Sequence, residues 1–421
     1  MTRIAHDIAK AARAASRAVA TLDTNTKNRV LLAAADLLDK KREAVLRANE
    51  ADMTRASELD EARRRRLRLT TAGIDQLCDG LRQVASLPDP VGVVTSTQTR
   101  PNGLRVERVR CPIGVIAMIY EARPGVTIDA FALCFKAGNA CILKGGREAG
   151  ESNTILGEVV GDALTSCGVA RDAMATLVTS DRGELTRLLQ CESDIDLVIP
   201  RGGESLIRFV KEHSKIPTVQ HFHGVCHVYV DADADPEKAV NIVATGKTGA
   251  PSACNATECV LIHERVASAF VPMLVERAAR DRFVIRGDEE VMSIARRARA
   301  GAPSTVEHAS ADDFGREFLD LILAARVVPS FEEAVRHVER YGSNHTDAIV
   351  SRNEEACRRW CASVGSSCVL VNASTRFNDG YQLGLGAEIG ISTQRVHAYG
   401  PMGLEELTVQ RYVVTGSGQV R

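Results

Sequence analysis

Apolar positions recur at helical spacing over the first fifth of the chain and at strand spacing after it. Ile4, Ile8, Ala12, Ala15 and Val19 lie three to four residues apart, which predicts an amphipathic helix within residues 1–22. That stretch is rich in Ala, Arg and Ser, as mitochondrial transit segments are, but Asp7 and Asp23 count against a class that is poor in acidic residues. From residue 26 to residue 87 the pattern stays mostly helical, with Val30, Leu31, Ala34, Leu37 and Leu38 on one face and charges opposite. A basic run at 63–66 sits inside it. Glu58, Asp60 and Glu61 precede the run at spacings that permit intrahelical ion pairs, so it reads as a solvated helix face before it reads as a nucleic-acid patch.

After Pro88 and Pro90 the period changes. Leu104, Val106 and Val109 alternate with Arg105, Glu107, Arg108 and Arg110, which predicts a strand pair turning at Pro101, Asn102 and Gly103. Apolar runs at 115–119, 141–143, 176–178 and 195–199 then alternate with helical stretches, and a second series has strands at 225–230, 258–262, 348–350 and 368–371. Such alternation predicts an α/β protein with two doubly wound lobes and largely parallel sheets. The length of 421 residues agrees, at about 100 to 200 residues per domain.

Charge and composition narrow the partner. Lys+Arg 53 against Asp+Glu 54 gives a net charge of -1, so no global field favours nucleic acid or an anionic membrane, and a small molecule is the expected partner. No apolar run reaches the roughly 18 residues of a membrane-spanning helix. The 12 Cys are scattered without a CxxC pair, which fits a reducing compartment, the cytoplasm.

The dinucleotide fingerprint GxGxxG follows no strand. Two other strand ends offer similar chemistry. In one, Lys144, Gly145, Gly146 and Arg147 place two cations and two glycines after a buried strand. Lys144 and Arg147 suit a 2′-phosphate better than a bare ribose hydroxyl, which a carboxylate usually accepts. In the other, Arg201, Gly202 and Gly203 lead into a helix start whose N–H groups suit pyrophosphate. Each alone is equally an ordinary βα turn; together in one parallel-sheet domain they support each other. Cys254 lies in a loop of small residues just before a strand, where an accessible nucleophile would sit on a rigid support, while Cys259 falls inside that strand and reads as core. His221 and His223 face the same way in an extended segment, but no second ligand pair stands at zinc spacing, so no metal is expected. Asp231, Asp233 and Asp235 imitate a calcium loop, yet Pro236 and Ile242 occupy the Gly and Glu positions; Asp235 before Pro236 reads as a helix cap.

Longer strings carry a resemblance. Tyr341-Gly342-Ser343-Asn344-His345-Thr346-Asp347, Val371-Asn372-Ala373-Ser374-Thr375-Arg376-Phe377, Gly384-Leu385-Gly386-Ala387-Glu388-Ile389-Gly390 and Gly400-Pro401-Met402-Gly403-Leu404, with Glu121-Ala122-Arg123-Pro124 and the Cys254 loop, resemble the gamma-glutamyl phosphate reductase family of the aldehyde dehydrogenase superfamily. The likeness spans nearly the whole chain and lacks any kinase region, so it points to the stand-alone reductase. It implies a cofactor-binding domain over 1–94 and 113–224, a catalytic thiol domain over 225–391, and oligomerisation elements at 95–112 and 392–421. The hairpin and the strand Tyr412-Val413-Val414 would pair with another subunit, giving a dimer or tetramer.

The implied reaction is NADPH-dependent reduction of gamma-glutamyl phosphate to glutamate-5-semialdehyde, with release of phosphate, in proline synthesis. Cys254 would attack the acyl phosphate, and hydride would reduce the resulting thioester. The oxyanion would take the Cys254 backbone N–H, with Asn255 as a weaker donor. Hydrolytic relatives have a carboxylate base that would fall near 221–224 and an Asn donor that would fall near Ala122; this chain has neither there. Their ribose-binding Glu falls near Arg147, which favours NADP over NAD. Ala250 and Gly125 stand where the family more often has Arg and Asn. Arg123 and Arg376 are the expected holders of the glutamyl carboxylate, Glu121 of the ammonium, and Glu388 an alternative cap of a Gly-rich turn. Two rival readings remain open: a CoA-type acyl reductase of the same fold, and a catalytically silent protein binding nucleic acid through 63–66.

Overall fold

The amino-terminal helices begin where small polar side chains can accept their first free N–H groups. Asp23 caps helix Thr24–Lys40 by accepting from Thr26, Asp60 caps Glu61–Leu67 through Arg63, and Thr70 caps Thr71–Ser86 through Gly73. The computed structural model describes residues 4–179, 181–219, 223–298 and 305–421. Helix Ala5–Val19 buries Ile8, Ala12, Ala15 and Val19 as the stripe predicts; Ile4 is outside the helix and 52% exposed. The chain divides into two compact units, Met1–Gln220 with Gly384–Gly390 and Met402–Arg421, and His221–Leu383 with Ile391–Pro401.

In the first unit, β1 (Val94–Thr99) and β2 (Arg105–Pro112) form the expected antiparallel hairpin, with Gly103 at φ +86° in the turn. Strands β3 (Val115–Tyr120), β4 (Ala140–Lys144), β5 (Met174–Thr176) and β6 (Leu197–Arg201) form a parallel sheet ordered β5-β4-β3-β6. All six residues of β3 are buried, as its unbroken apolar run requires. The strand order reverses between β3 and β6. Two strands are displaced by two residues from their expected places. β6 runs on through Pro200, which an edge strand tolerates because its missing N–H need not serve a second neighbour. Asp196 precedes it and clamps Val115, donating its N–H to the Val115 carbonyl and accepting the Val115 N–H on its carboxylate. β5 ends at Thr176, and Val178 is 47% exposed.

The second unit carries β7 (Cys226–Val230), β8 (Thr257–His263), β9 (Val284–Gly287), β10 (Val306–His308), β11 (Ile322–Val328), β12 (Thr346–Val350) and β13 (Cys368–Val371), parallel in the order β10-β9-β11-β8-β7-β12-β13. Sequence patterning missed β9, β10 and β11. β9 and β10 are short, and β11 alternates apolar residues with Arg326 late in an apolar run that reads equally as helix. Alternate residues face opposite sides: Val228, Val230, Val260 and Ile262 pack with Phe270 and Leu274, while Tyr229, Cys259 and Leu261 pack with Trp360 and Val338. Short β14 (Ile391–Ser392) and β15 (Gly400–Pro401) pair antiparallel.

The last strand, β16 (Thr408–Thr415), lies antiparallel on β2 over eight residue pairs. One edge of the carboxyl-terminal strand thus pairs with the hairpin of its own chain. Among the described residues no helix is long and apolar enough to cross a membrane.

Candidate active site

Helix Pro236–Thr248 starts at Asp235, whose carboxylate accepts the Glu237 and Lys238 N–H groups, so the three aspartates that imitate a calcium loop end in a helix cap as expected. The helix stops before two successive turns, Ala253 N–H to Ala250 O and Ala256 N–H to Ala253 O, and β8 follows. Cys254 is half-buried between them. Cys259 is fully buried in β8, as read from the sequence. The loop lies at the amino ends of the parallel strands, whereas open α/β sheets usually bind ligands at the carboxyl ends.

Hydrogen bonds hold the Cys254 loop from below. Cys226 Sγ donates to the Cys254 carbonyl at 3.2 Å, and its own neighbour His345 Nδ1 lies 3.6 Å away. Burial pushes the Cys226 thiol well up, so it remains a protonated donor. His345 contacts Thr346 Oγ1 (2.7 Å), which accepts from Asn378 Nδ2 (2.7 Å), and the Asn378 carbonyl accepts from Asn255 Nδ2 (2.9 Å). Arg376 donates to Asn255 Oδ1. Cys254, Asn255 and Arg376 are thus brought together, but the Asn255 amide already serves the loop. Gly224 packs so closely that a Cβ there would collide with the Cys254 carbonyl.

The Gly224 N–H donates to Glu317 Oε1 at 3.0 Å. The stretch 221–224 has no carboxylate of its own, but the fold supplies one from a position 93 residues away. No local pattern at 317 announces it. A second missed pair brackets the loop: Lys247 Nζ donates to Glu258 Oε2 at 2.7 Å and to the Asp320 carbonyl at 3.1 Å, both side chains fully buried. Burial pushes Glu258 up to about 7 against the pull of Lys247.

His221 lies outside the described residues, and β7 begins only at Cys226. Among the described residues His227, Cys259 and His337 bring potential ligand atoms within 4.8 Å of one another, all buried. Burial, with His227 and Arg326 adding to it, lowers His337 to about 2, and Arg326 donates to its Nδ1 at 3.1 Å. A neutral ring that accepts at Nδ1 carries its proton on Nε2, leaving no lone pair for a metal. His227 Nδ1 lies 3.1 Å from Asp347. Burial opposes its charge, but Cys259 and Asp347 outweigh that and raise it to about 10.

In the first unit the carboxyl ends of β3, β4 and β6 gather Glu121, Arg123, Lys144, Gly145, Gly146, Arg147, Arg201, Gly202 and Gly203. Glu121 Oε2 accepts the Gly203 N–H at 2.9 Å, and Glu148 Oε1 accepts the N–H of Ala122 at 2.7 Å. Ala122 takes a left-handed φ of 42° to present it. In this structure the Gly203 N–H, expected to serve pyrophosphate, is bonded to the Glu121 carboxylate, and Glu121, expected to hold the ammonium, gives one oxygen to that bond. Burial lowers the pKa of Lys144 while Glu148 and Glu121 pull it back up. Cβ atoms at Gly145, Gly146 and Gly202 would collide with Asn153, Glu148 and the Glu121–Leu206 pair respectively. Glycine is therefore required at all three by the side chains of the same unit packed against the backbone. Arg147 is exposed, and Arg376 belongs to the other unit from Arg123.

A parallel-sheet unit with glycine-lined strand ends and a second unit presenting a braced thiol define an aldehyde dehydrogenase-like protein. Residues 3–309 match the aldehyde dehydrogenase family, and the chain belongs to that family. It is 48% identical over 417 residues to a gamma-glutamyl phosphate reductase of Desulforapulum autotrophicum, covering 99% of this chain and 98% of that one. To the protein of that name from Moorella thermoacetica it is 49% identical over 412 residues, 97% of each. The crystal structure of gamma-glutamyl phosphate reductase from Thermotoga maritima matches with a TM-score of 0.95 and 38% identity over the whole of both chains. The resemblance read from the motifs and the α/β fold it implied are borne out.

Proposed function

We propose that this enzyme reduces gamma-glutamyl phosphate to glutamate-5-semialdehyde with NADPH, releasing phosphate, as a step of proline synthesis in the cytoplasm. The substrate reading is supported by full-length likeness to proteins named for it, at 45 to 49% identity. The thiol reading is carried by one observation: Cys254 is half-buried on a loop that Cys226, Asn255 and Gly224 hold from below.

Cys254 Sγ attacks the acyl carbon, the bond to the phosphate oxygen breaks, and phosphate leaves with the electron pair, so a thioester remains. Negative charge collects on the carbonyl oxygen during attack, and the Cys254 backbone N–H is the donor assigned to it. Cys226, kept protonated by burial, does not compete as a nucleophile. The family uses nicotinamide cofactors, and a bound reduced nicotinamide supplies the hydride that takes the thioester to the aldehyde level. Lys144, Gly145, Gly146 and Arg147, with Gly202 and Gly203, would hold the dinucleotide. Lys144 and Arg147 fit it in charge, and binding through the backbone there requires Glu121 and Glu148 to release the Gly203 and Ala122 N–H groups.

The first unit is assigned to the cofactor and the second to the thiol. The outer edges of β1 and β16, with Val94, Val409, Tyr412 and Val414 exposed, are assigned to pairing in a dimer or tetramer. The test follows phosphate-dependent NADP+ reduction with glutamate-5-semialdehyde. Wild type turns over and Cys254→Ala does not; equal rates would remove Cys254 from the chemistry.

A further inference from the structure

The basic run at 63–66 is largely exposed, as a solvated helix face is, but its members meet different surroundings. Arg63 pairs with Asp60 at 3.5 Å and Arg65 with Glu61 at 3.8 Å, as helical spacing predicts. Arg66, with Arg68 just beyond the helix, instead lines a cavity of about 420 Å³ within the first unit. Arg123, after β3, and Arg201, at the end of β6, line it too, and so do Asp129 and Glu388. The cavity thus lies at the carboxyl ends of β3 and β6, where the strand order reverses and open α/β sheets bind their ligands. Its volume is about fourteen times one water's share of the liquid, enough for a small amino acid. Leu77 and Met118 add apolar wall for a short methylene chain.

The mixture of charges selects the ligand. A plain anion or a dinucleotide phosphate would use the four guanidinium groups but would also meet the carboxylates of Asp129 and Glu388. An α-amino acid end, carboxylate and ammonium on one carbon, uses both signs. We propose that this cavity is the subsite for the amino-acid end of the substrate, with Arg66, Arg68, Arg123 and Arg201 around the carboxylate and Asp129 and Glu388 around the ammonium. This rests on the gamma-glutamyl reading above. It takes the ammonium away from Glu121, which is bonded to Gly203, and moves Arg201 from the cofactor to the substrate. Asp129 is open to the cavity yet ringed by protein, which pushes its pKa up to about 6 against the pull of Arg201; an ammonium bound beside it would restore the charged form. The surplus of guanidinium over carboxylate draws in a substrate that is itself net anionic.

The test compares kcat/KM for three aldehydes in the phosphate-dependent oxidation: glutamate-5-semialdehyde, 4-aminobutanal, which lacks the carboxylate, and 5-oxopentanoate, which lacks the ammonium. Wild type prefers the first over each of the others by about tenfold to hundredfold, the range for one charged hydrogen-bonded contact. Arg66→Ala/Arg68→Ala and Arg123→Gln lose the preference over 4-aminobutanal and keep that over 5-oxopentanoate; Asp129→Asn and Glu388→Gln do the reverse. The NADP+ dissociation constant, from fluorescence quenching, stays within about twofold of wild type in all of them. Wild-type discrimination retained by every variant would overturn the subsite alone. An NADP+ dissociation constant raised tenfold or more with unchanged aldehyde preference would give the cavity to the cofactor instead. Wild-type indifference to the three aldehydes would overturn the substrate reading and the subsite with it.

Discussion

At Cys254 the backbone carbonyl is held on two sides while the residue as a whole is only half-buried. The Cys226 thiol donates to that carbonyl and the Cα of Gly224 presses against it, so the position of Sγ depends on two residues with no chemistry of their own in the reaction. Gly224→Ala adds a methyl group that the Cys254 carbonyl must escape. A shift of ~1 Å at a nucleophile costs on the order of a hundredfold in rate, so kcat in the phosphate-dependent assay falls by that order while circular dichroism still reports a folded protein. Cys226→Ala removes only a weak donor and lowers kcat by less than tenfold, about the worth of one net hydrogen bond. The loop and its thiol were legible in the sequence, since small residues before an apolar strand announce an exposed turn. Glu317 was not, because hydrogen bonding to Gly224 leaves no periodic trace 93 residues away.

Helix, loop and β8 act together as a clamp closed by Lys247 and Glu258, one at each side of the loop. Neither charge is exposed, so removing one strands the other without solvent. Lys247→Met is expected to cost about 3–5 kcal/mol of stability, read as a lower urea midpoint at unchanged slope. Lys247→Met/Glu258→Leu recovers most of that loss, since the desolvation cost disappears with both charges. Recovery no better than the single variant would mean that the pair serves packing and not charge balance. Element legibility was uneven for a related reason. β3 is an unbroken apolar run, β8 carries one over Cys259–Ile262, and both were found in place; β6 was displaced because Pro200 counts against a strand unless the strand is known to lie at an edge, which only the sheet order tells.

Across the whole molecule, β16 on β2 closes the three-stranded sheet and leaves exposed apolar residues along it. Deleting 408–421 uncovers the β2 edge; size-exclusion chromatography with light scattering is expected to show loss of the proposed dimer or tetramer, or aggregation, in place of a well-defined species. Global stability also has a pH signature in the second unit. His227 is held at about 10 against an ordinary 6.5, so its charged form adds stability that is complete below 6.5 and is lost as pH rises through about 10. The melting temperature of wild type therefore falls between pH 7 and pH 10 more steeply than that of His227→Gln, and parallel curves would show that the imidazolium adds nothing. The sequence by itself determined the alternation of strand and helix, the capped helices, the thiol loop and the family motifs, all of which depend on neighbours within a few turns of chain. Only the tertiary structure decided that Glu121 occupies the Gly203 N–H and Glu148 the Ala122 N–H, and that Arg66 and Arg68 join Arg123 and Arg201 around one cavity. A periodic pattern determines which face is buried; which distant side chain meets that face depends on the path of the backbone between them.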